Sequence, residues 1–435
     1  MPRQPRPPAT AIAVERATLS NGLRVVLAPD RSSPTVFVGA YYDVGFRSEP
    51  QGRAGFAHLF EHLMFQGSAT LEKGLHDRLT TGNGGINNGS TRNDFTNYFE
   101  LMPSNALEVA LFLEADRMRE IRLTPENLQN QIDVVKEEIR VNVHNQPYGG
   151  FPWLYLPMTL FETFPNAHDA YGDFADLDAA TIEEVAEFFD RYYAPGNCVL
   201  TVAGDFDVTE AMQHVERHFG GIAAREVPPT VDAREPLPGR ERRDARRDPH
   251  APQPALAIGY RIPDPIRAFD EYAATVLCCQ LLTGGEASRL HQRLLKTDRI
   301  ASHVDGDVGL VAGTFEVRDP SMLQVQVFYP DGQGPDRILR AIDEEIERIA
   351  EGVDAAELDR FRNAYLADYL GGVDSLMQRG MLLAALEQQR GRAELLNELP
   401  GILTRIQPED VAKVAAQWLT SDNRAVLELL PGAAG

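Results

Sequence analysis

Residues 52–68 read GRAGFAHLFEHLMFQGS, an apolar, helix-like run that carries His58, Glu61 and His62 together. At about 3.6 residues per turn, positions three and four apart share a face, so the three side chains project the same way. A structural histidine needs only one hydrogen-bond partner. Two histidines and a carboxylate aligned on one face are the way a metal site is built. The rest of the chain must supply what completes it.

A chain of 435 residues exceeds one hydrophobic core and predicts two domains. Its 64 acidic against 42 basic residues give a formal charge of −22, which argues against nucleic acid and anionic membrane surfaces and favours cationic ligands. Cys198, Cys278 and Cys279 form no CxxC pair and no even framework; they read as reduced core thiols of a cytoplasmic protein. No uninterrupted apolar stretch reaches the length of about 18 residues that a membrane span needs. The Pro- and Arg-rich start lacks an apolar signal region, so residues 1–15 are expected to be a disordered tail.

The period of the apolar positions predicts alternating strands and helices. ATLSNGLRVVLAPD reads as a hairpin around Asn21-Gly22, and TVFVGAYYDVGF as a further strand ahead of the HLFEH helix. GGINNGSTRNDFTNYFELMP has the turn residues and alternation of antiparallel strands. Two long helices follow, the second opened by Thr124-Pro125-Glu126, then the helix TIEEVAEFFDRYY and the strand NCVLTVAGDF. Residues 223–249 are rich in Pro, Arg and Asp and read as a linker. Beyond it the order repeats: strand PALAIGYRIP, helix FDEYAATVLCCQLLTG, strands GDVGLVAGTFEVRD and SMLQVQVFYPD, helices, and strand RAVLELLPG. The expected organisation is an N-terminal α+β domain at 16–222 and a homologous one at 250–435, related by internal duplication, with HxxEH only in the first.

A hydrolytic zinc takes three protein ligands and an open position. The downstream helix QIDVVKEEIR offers adjacent Glu137 and Glu138, which face different sides of the helix; periodicity does not choose between them.

HxxEH marks the inverzincin peptidases, and the chain resembles the pitrilysin and insulinase family. Within it, the chain resembles the two-domain branch that includes the mitochondrial processing peptidase and bacterial processing-type peptidases. The matching stretches are LSNGLRVVL, VGFRSEPQGRAGFAHLFEHLMFQGS, GGINNGSTRNDFTNYF, VVKEEIR, YYAPGNCVLTVAGDFD and LLTGGEASRLHQRLL. The resemblance implies two α+β domains closing a clamshell chamber, with one zinc per chain. It makes Glu138, 76 positions after His62, the third ligand, and Glu61 the base that takes the proton of the zinc-bound water. It also implies that peptide substrates lie along an exposed strand edge, here with Asn88 and Gly89.

Three positions depart from the family pattern. Gln131 stands where a second Glu usually supports the site from the second shell. Leu295 and Ser302 stand where catalytically complete members carry an Arg and a Tyr that bind substrate and stabilise the transition state. The family includes pairs in which one subunit holds zinc and the other the Arg and Tyr, so the chain is expected to be the zinc subunit of a heterodimer hydrolysing short or unfolded, preferentially basic peptides. The alternative is a non-catalytic peptide-binding or scaffold subunit. The remaining histidine cluster, His214 and His218 in HVERH around Glu216, has no third ligand downstream and reads as a solvated helix; His144 reads as a helix-end residue.

Overall fold

In a computed structural model that describes residues 11–432, eleven strands build two sheets flanked by helices. The first sheet contains β1 (Glu15–Thr18), β2 (Arg24–Pro29), β3 (Thr35–Tyr42), β4 (Ile86–Thr91), β5 (Thr96–Pro103) and β6 (Cys198–Gly204). The second contains β7 (Arg242–Asp248), β8 (Ala255–Arg261), β9 (His303–Gly309), β10 (Met322–Phe328) and β11 (Arg424–Pro431). Apart from β1, the orders are β2-β6-β3-β5-β4 and β7-β11-β8-β10-β9. Counted within each half, both read first, fifth, second, fourth, third, with only the first and fifth parallel. A shared order with the same parallel pair is the structural form of the duplication expected from the sequence. The fold is two α+β domains in a clamshell.

The expected hairpin is β1 and β2, turned at Gly22, whose φ of +91° suits glycine. β3 reads as a nearly continuous apolar run because both of its faces are covered. Val36, Val38, Ala40 and Tyr42 pack into the first domain's core. Phe37 and Tyr41 point to the opposite face, where the helix Leu376–Arg390 from the second half lies against β3 and β6. The reverse contact also exists. The helix Tyr155–Leu160 of the first half sets Leu156 and Leu160 against Ala255, Ala257, Leu427 and Leu429 of the second sheet. Each half therefore covers one face of the other's sheet.

Three expectations change. The tail expected over residues 1–15 is ordered from Ile12, whose N–H and C=O pair with the Asn397 amide at 2.9 Å each; residues 1–10 lie outside the described residues. The linker expected over 223–249 ends earlier, because Arg242–Asp248 is β7, parallel to β11. Its RRDARRD sequence gives no apolar signal, since an edge strand is held by the main-chain ladder while its arginines ion-pair or, as Arg246 does, cover the Tyr155 ring. The strand expected through GDVGLVAGTFEVRD stops at Gly309, and the following loop crosses to the first domain. There Val311 N–H donates to Asn93 (3.2 Å), and Arg318 ion-pairs with Asp43 (3.0 Å). Tertiary polar contacts outweigh a local β pattern.

Candidate metal centre

The helix Phe56–Leu63 buries Phe56, Leu59, Phe60 and Leu63, with Phe60 against Phe188 and Tyr193. Its N-terminus is held by Glu49, which accepts from the N–H groups of Gly55 (3.0 Å) and Ala57 (2.8 Å). A carboxylate there satisfies orphan donors and favours the helix dipole. Glu49 is fully buried and paired with His168 at 2.8 Å. Burial pushes the carboxyl of Glu49 up; burial lowers His168, but its bonds to Glu49 outweigh that and raise it.

Against this helix packs Pro125–Ile139, opened by Thr124, whose hydroxyl accepts from Asn127 N–H at 3.1 Å. Leu128, Ile132, Val135 and Ile139 face inward. Of the two candidate glutamates, Glu137 turns to solvent and pairs with Arg140 at 3.1 Å, while Glu138 turns to the histidines. The Nε2 atoms of His58 and His62 lie 3.3 Å apart. Glu138 Oε1 is 3.6 Å from His58 Nε2, and Oε2 is 3.2 Å from His62 Nε2. Donors about 2.0–2.2 Å from a tetrahedral cation are separated by about 3.3–3.6 Å. The spacings lie near that value, with Glu138 turning a different oxygen to each histidine, so the three residues fit as ligands of one small cation.

Tyr171 completes the arrangement and has no sequence signal. Its carbonyl faces His58 Nδ1 at 3.3 Å, which leaves Nε2 as the ring atom turned toward Glu138 and His62. The rings of Tyr171 and His58 stack at 4.8 Å. The Tyr171 hydroxyl donates to Glu138 and accepts from the Asn142 amide at 2.9 Å. Asn142 lies on the π-helical turn Arg140–His144 that continues the glutamate's helix, a distortion that often accompanies functional sites. Hydrogen bonds from His58, then His62 and Tyr171, hold the Glu138 carboxyl far below the usual carboxylate range. His58 is lowered by burial, but Glu138 and Glu61 together raise it.

Glu61 is not one of the converging donors. Its Oε2 accepts from the Thr91 hydroxyl at 2.8 Å, which joins it to the end of β4. That strand is the open edge of the first sheet, with Asn88 exposed and Gly89 beneath it. A Cβ on Gly89 would meet the Tyr98 ring at 3.1 Å, so the glycine lets β4 lie close to β5.

Gln131 is buried, but its amide donates to Asn130 at 2.9 Å; among the described residues it makes no hydrogen bond to His58, His62 or Glu138. A glutamine two turns up the helix reaches its neighbour rather than the donors. Leu295 packs on the second core. Ser302 is tied to Phe328 O (3.1 Å) and Gln253 (3.0 Å). Neither touches the site.

Two imidazoles and a carboxylate converge here, with Glu61 beside them but bonded to Thr91, and such a donor set can hold a divalent cation. The chain belongs to the insulinase-like family M16: the profile described as insulinase (peptidase family M16) matches residues 24–151, and that of the peptidase M16 inactive domain matches 179–365. The chain is 27% identical over 425 residues to the zinc protease PqqE of Helicobacter pylori, covering 96% of this chain and 93% of that one. It is 27% identical over 427 residues to an uncharacterised zinc protease of Mycobacterium tuberculosis, covering 97% and 94%. The crystal structure of a protease from Helicobacter pylori superposes with a TM-score of 0.88 at 25% identity, over 97% of this chain and all of that one. No helix among the described residues is long and apolar enough to cross a membrane.

Proposed function

We propose that the chain is a zinc-dependent metalloendopeptidase that hydrolyses short or unfolded peptides between its two domains, as the zinc-bearing subunit of a heterodimer. One observation carries this reading: His58, His62 and Glu138 converge at tetrahedral-edge distances while Glu61, on the same helix face, is left out of the donor set. His58, His62 and Glu138 would hold the zinc, which when bound would supply Lewis-acid chemistry, polarising a scissile carbonyl and acidifying a water toward a pKa of about 7. Glu61, oriented by Thr91, would serve as the base that takes a proton from the attacking water and returns it to the leaving amine. The open edge of β4 offers main-chain pairing to an extended peptide, with Asn88 and Gly89 as contacts, so folded proteins are excluded. The −22 charge favours basic peptides. Three buried cysteines without a disulfide suit a cytoplasmic setting.

The heterodimer rests on what Leu295 and Ser302 lack. Attack on an amide builds negative charge on the carbonyl oxygen, and a pre-placed donor there is commonly worth about 3 to 4 kcal/mol. A homologous subunit with the Arg and Tyr supplies those donors. The test is peptide cleavage by the zinc-loaded chain alone and with such a subunit; a pure chain as fast as the mixture refutes the heterodimer. The same two residues favour a second reading, a non-catalytic peptide-binding subunit. In that case neither preparation shows cleavage sensitive to Glu61→Gln.

A further inference from the structure

The HVERH motif acquires in the fold a partner that its sequence neighbourhood does not contain. His214 and His218 lie one turn apart on the helix Val208–Phe219, which packs on the helix Leu107–Arg119. Glu108, in the first turn of that second helix and upstream in the chain, brings Oε1 to 3.3 Å from His214 Nδ1 and 3.2 Å from His218 Nε2. Both distances match an edge of a small coordination tetrahedron, and the three donor atoms all lie within 4.8 Å of one another.

The state of His214 is a second, independent pointer. Its Nδ1 is shielded from solvent and makes no hydrogen bond. Its other nitrogen, Nε2, faces Glu210 Oε1 at 3.8 Å. A ligating histidine commonly presents its second nitrogen to a carboxylate, which fixes the tautomer and leaves the first with a free lone pair. Glu210, at 3.8 Å, lies on that side of His214 but beyond hydrogen-bond distance, and closes on it only if the exposed carboxylate swings in. The histidines are mostly covered and Glu108 is half exposed, so an ion has access from one side.

Arg217 is the competitor, since its guanidinium lies 2.6 Å from the same Glu108 oxygen. Its side chain is 61% exposed, and an exposed ion pair of this kind holds weakly and can swing away. The remaining donor cluster, His76, Glu100 and Glu114, differs because it is buried around Arg117, which already supplies the positive charge.

We propose that Glu108, His214 and His218 form a second zinc site, separate from the HxxEH centre, that clamps the helices Leu107–Arg119 and Val208–Phe219 together. Two imidazoles and one carboxylate select a borderline divalent cation such as zinc over magnesium or calcium, which take all-oxygen sets. The site is open to exchange and is weaker than the HxxEH centre, so its occupancy follows the zinc supply. An ion that binds only the folded state raises thermal stability in proportion to its concentration.

The experiment uses the full chain carrying His58→Ala and His62→Ala, so that the first centre cannot contribute, and titrates zinc alone by calorimetry with thermal unfolding in parallel. The expected result is about one zinc per chain and a melting temperature that rises with zinc. His214→Ala with His218→Ala should remove both responses, and Glu108→Gln should weaken binding by about 10-fold or more. Arg217→Ala should tighten binding several-fold, a gain that misfolding cannot mimic. No stoichiometric zinc in the His58→Ala/His62→Ala chain, or binding indifferent to His214 and His218, overturns the proposal. Either result leaves the reading of the HxxEH centre to be judged separately.

Discussion

Tyr171 and Glu138 are joined by a hydrogen bond from the phenol to Oε1, and Tyr171 also turns its carbonyl to His58. One residue from an irregular segment thus orients two donors that come from different helices. Burial, then the bond to Glu138, keeps the phenol protonated and donating. Tyr171→Phe removes the donor and keeps the ring stacked on His58. It should weaken zinc binding by about 10- to 100-fold, as loss of an outer-shell partner typically does. Competition against a chelator of known affinity measures this; an unchanged affinity would mean that the packing of Glu138 alone positions it.

Glu61 and Glu138 should separate cleanly by substitution. Glu138→Gln weakens one of three donors and should strip the metal. Glu61→Gln should retain it and reduce peptide cleavage by about 10²- to 10⁴-fold, the usual contribution of a positioned base. Metal analysis and peptide cleavage on the same samples decide the roles. If Glu61→Gln lost zinc as readily as Glu138→Gln, the assignment would be wrong.

Glu100 and Glu114 are fully buried against a single guanidinium, that of Arg117, which also lies over the Tyr98 ring. Burial pushes Glu100 up to about 7 and Glu114 up to about 8, against an ordinary value of 4.5. One positive charge balances one carboxylate, so the folded chain keeps a proton that the unfolded chain has released. From about pH 5 to 8 the native state binds more protons, and stability falls as pH rises, by on the order of 1 kcal/mol per pH unit for one proton. Glu114→Gln, which imitates the protonated acid, should flatten that slope in urea unfolding. An identical slope in wild type and variant would place the proton elsewhere.

Gly380 tests the exchange of helices between halves. In an exposed helix Gly→Ala stabilises by about 1 kcal/mol. Here a Cβ would fall 2.2 Å from Phe37 Cδ1, a side chain that is itself fully buried. Gly380→Ala should therefore destabilise, by about 1–3 kcal/mol. Thermal or urea unfolding gives the sign; a stabilised variant would show that the helix Leu376–Arg390 can lift off the first sheet.

Much was legible in the chain because it depends on local period. The helical face that aligns His58, Glu61 and His62, the Asn21-Gly22 hairpin, the Thr124 cap and the repeat of element order all follow from spacings of two to four residues. Such spacings act through backbone geometry that any environment shares. Tertiary structure decided whatever depends on separation in space. It turned Glu138 rather than Glu137 toward the histidines, because Glu137 had Arg140 and solvent to satisfy it. It brought in Tyr171 from a segment with no periodicity, and Glu108 from 106 residues before His214. It also made β7 of a stretch with linker composition, since ladder hydrogen bonds to β11 need backbone groups and not apolar side chains. Side-chain pattern reports which face a residue takes within its own element; which distant element meets that face is settled only when the two halves pack.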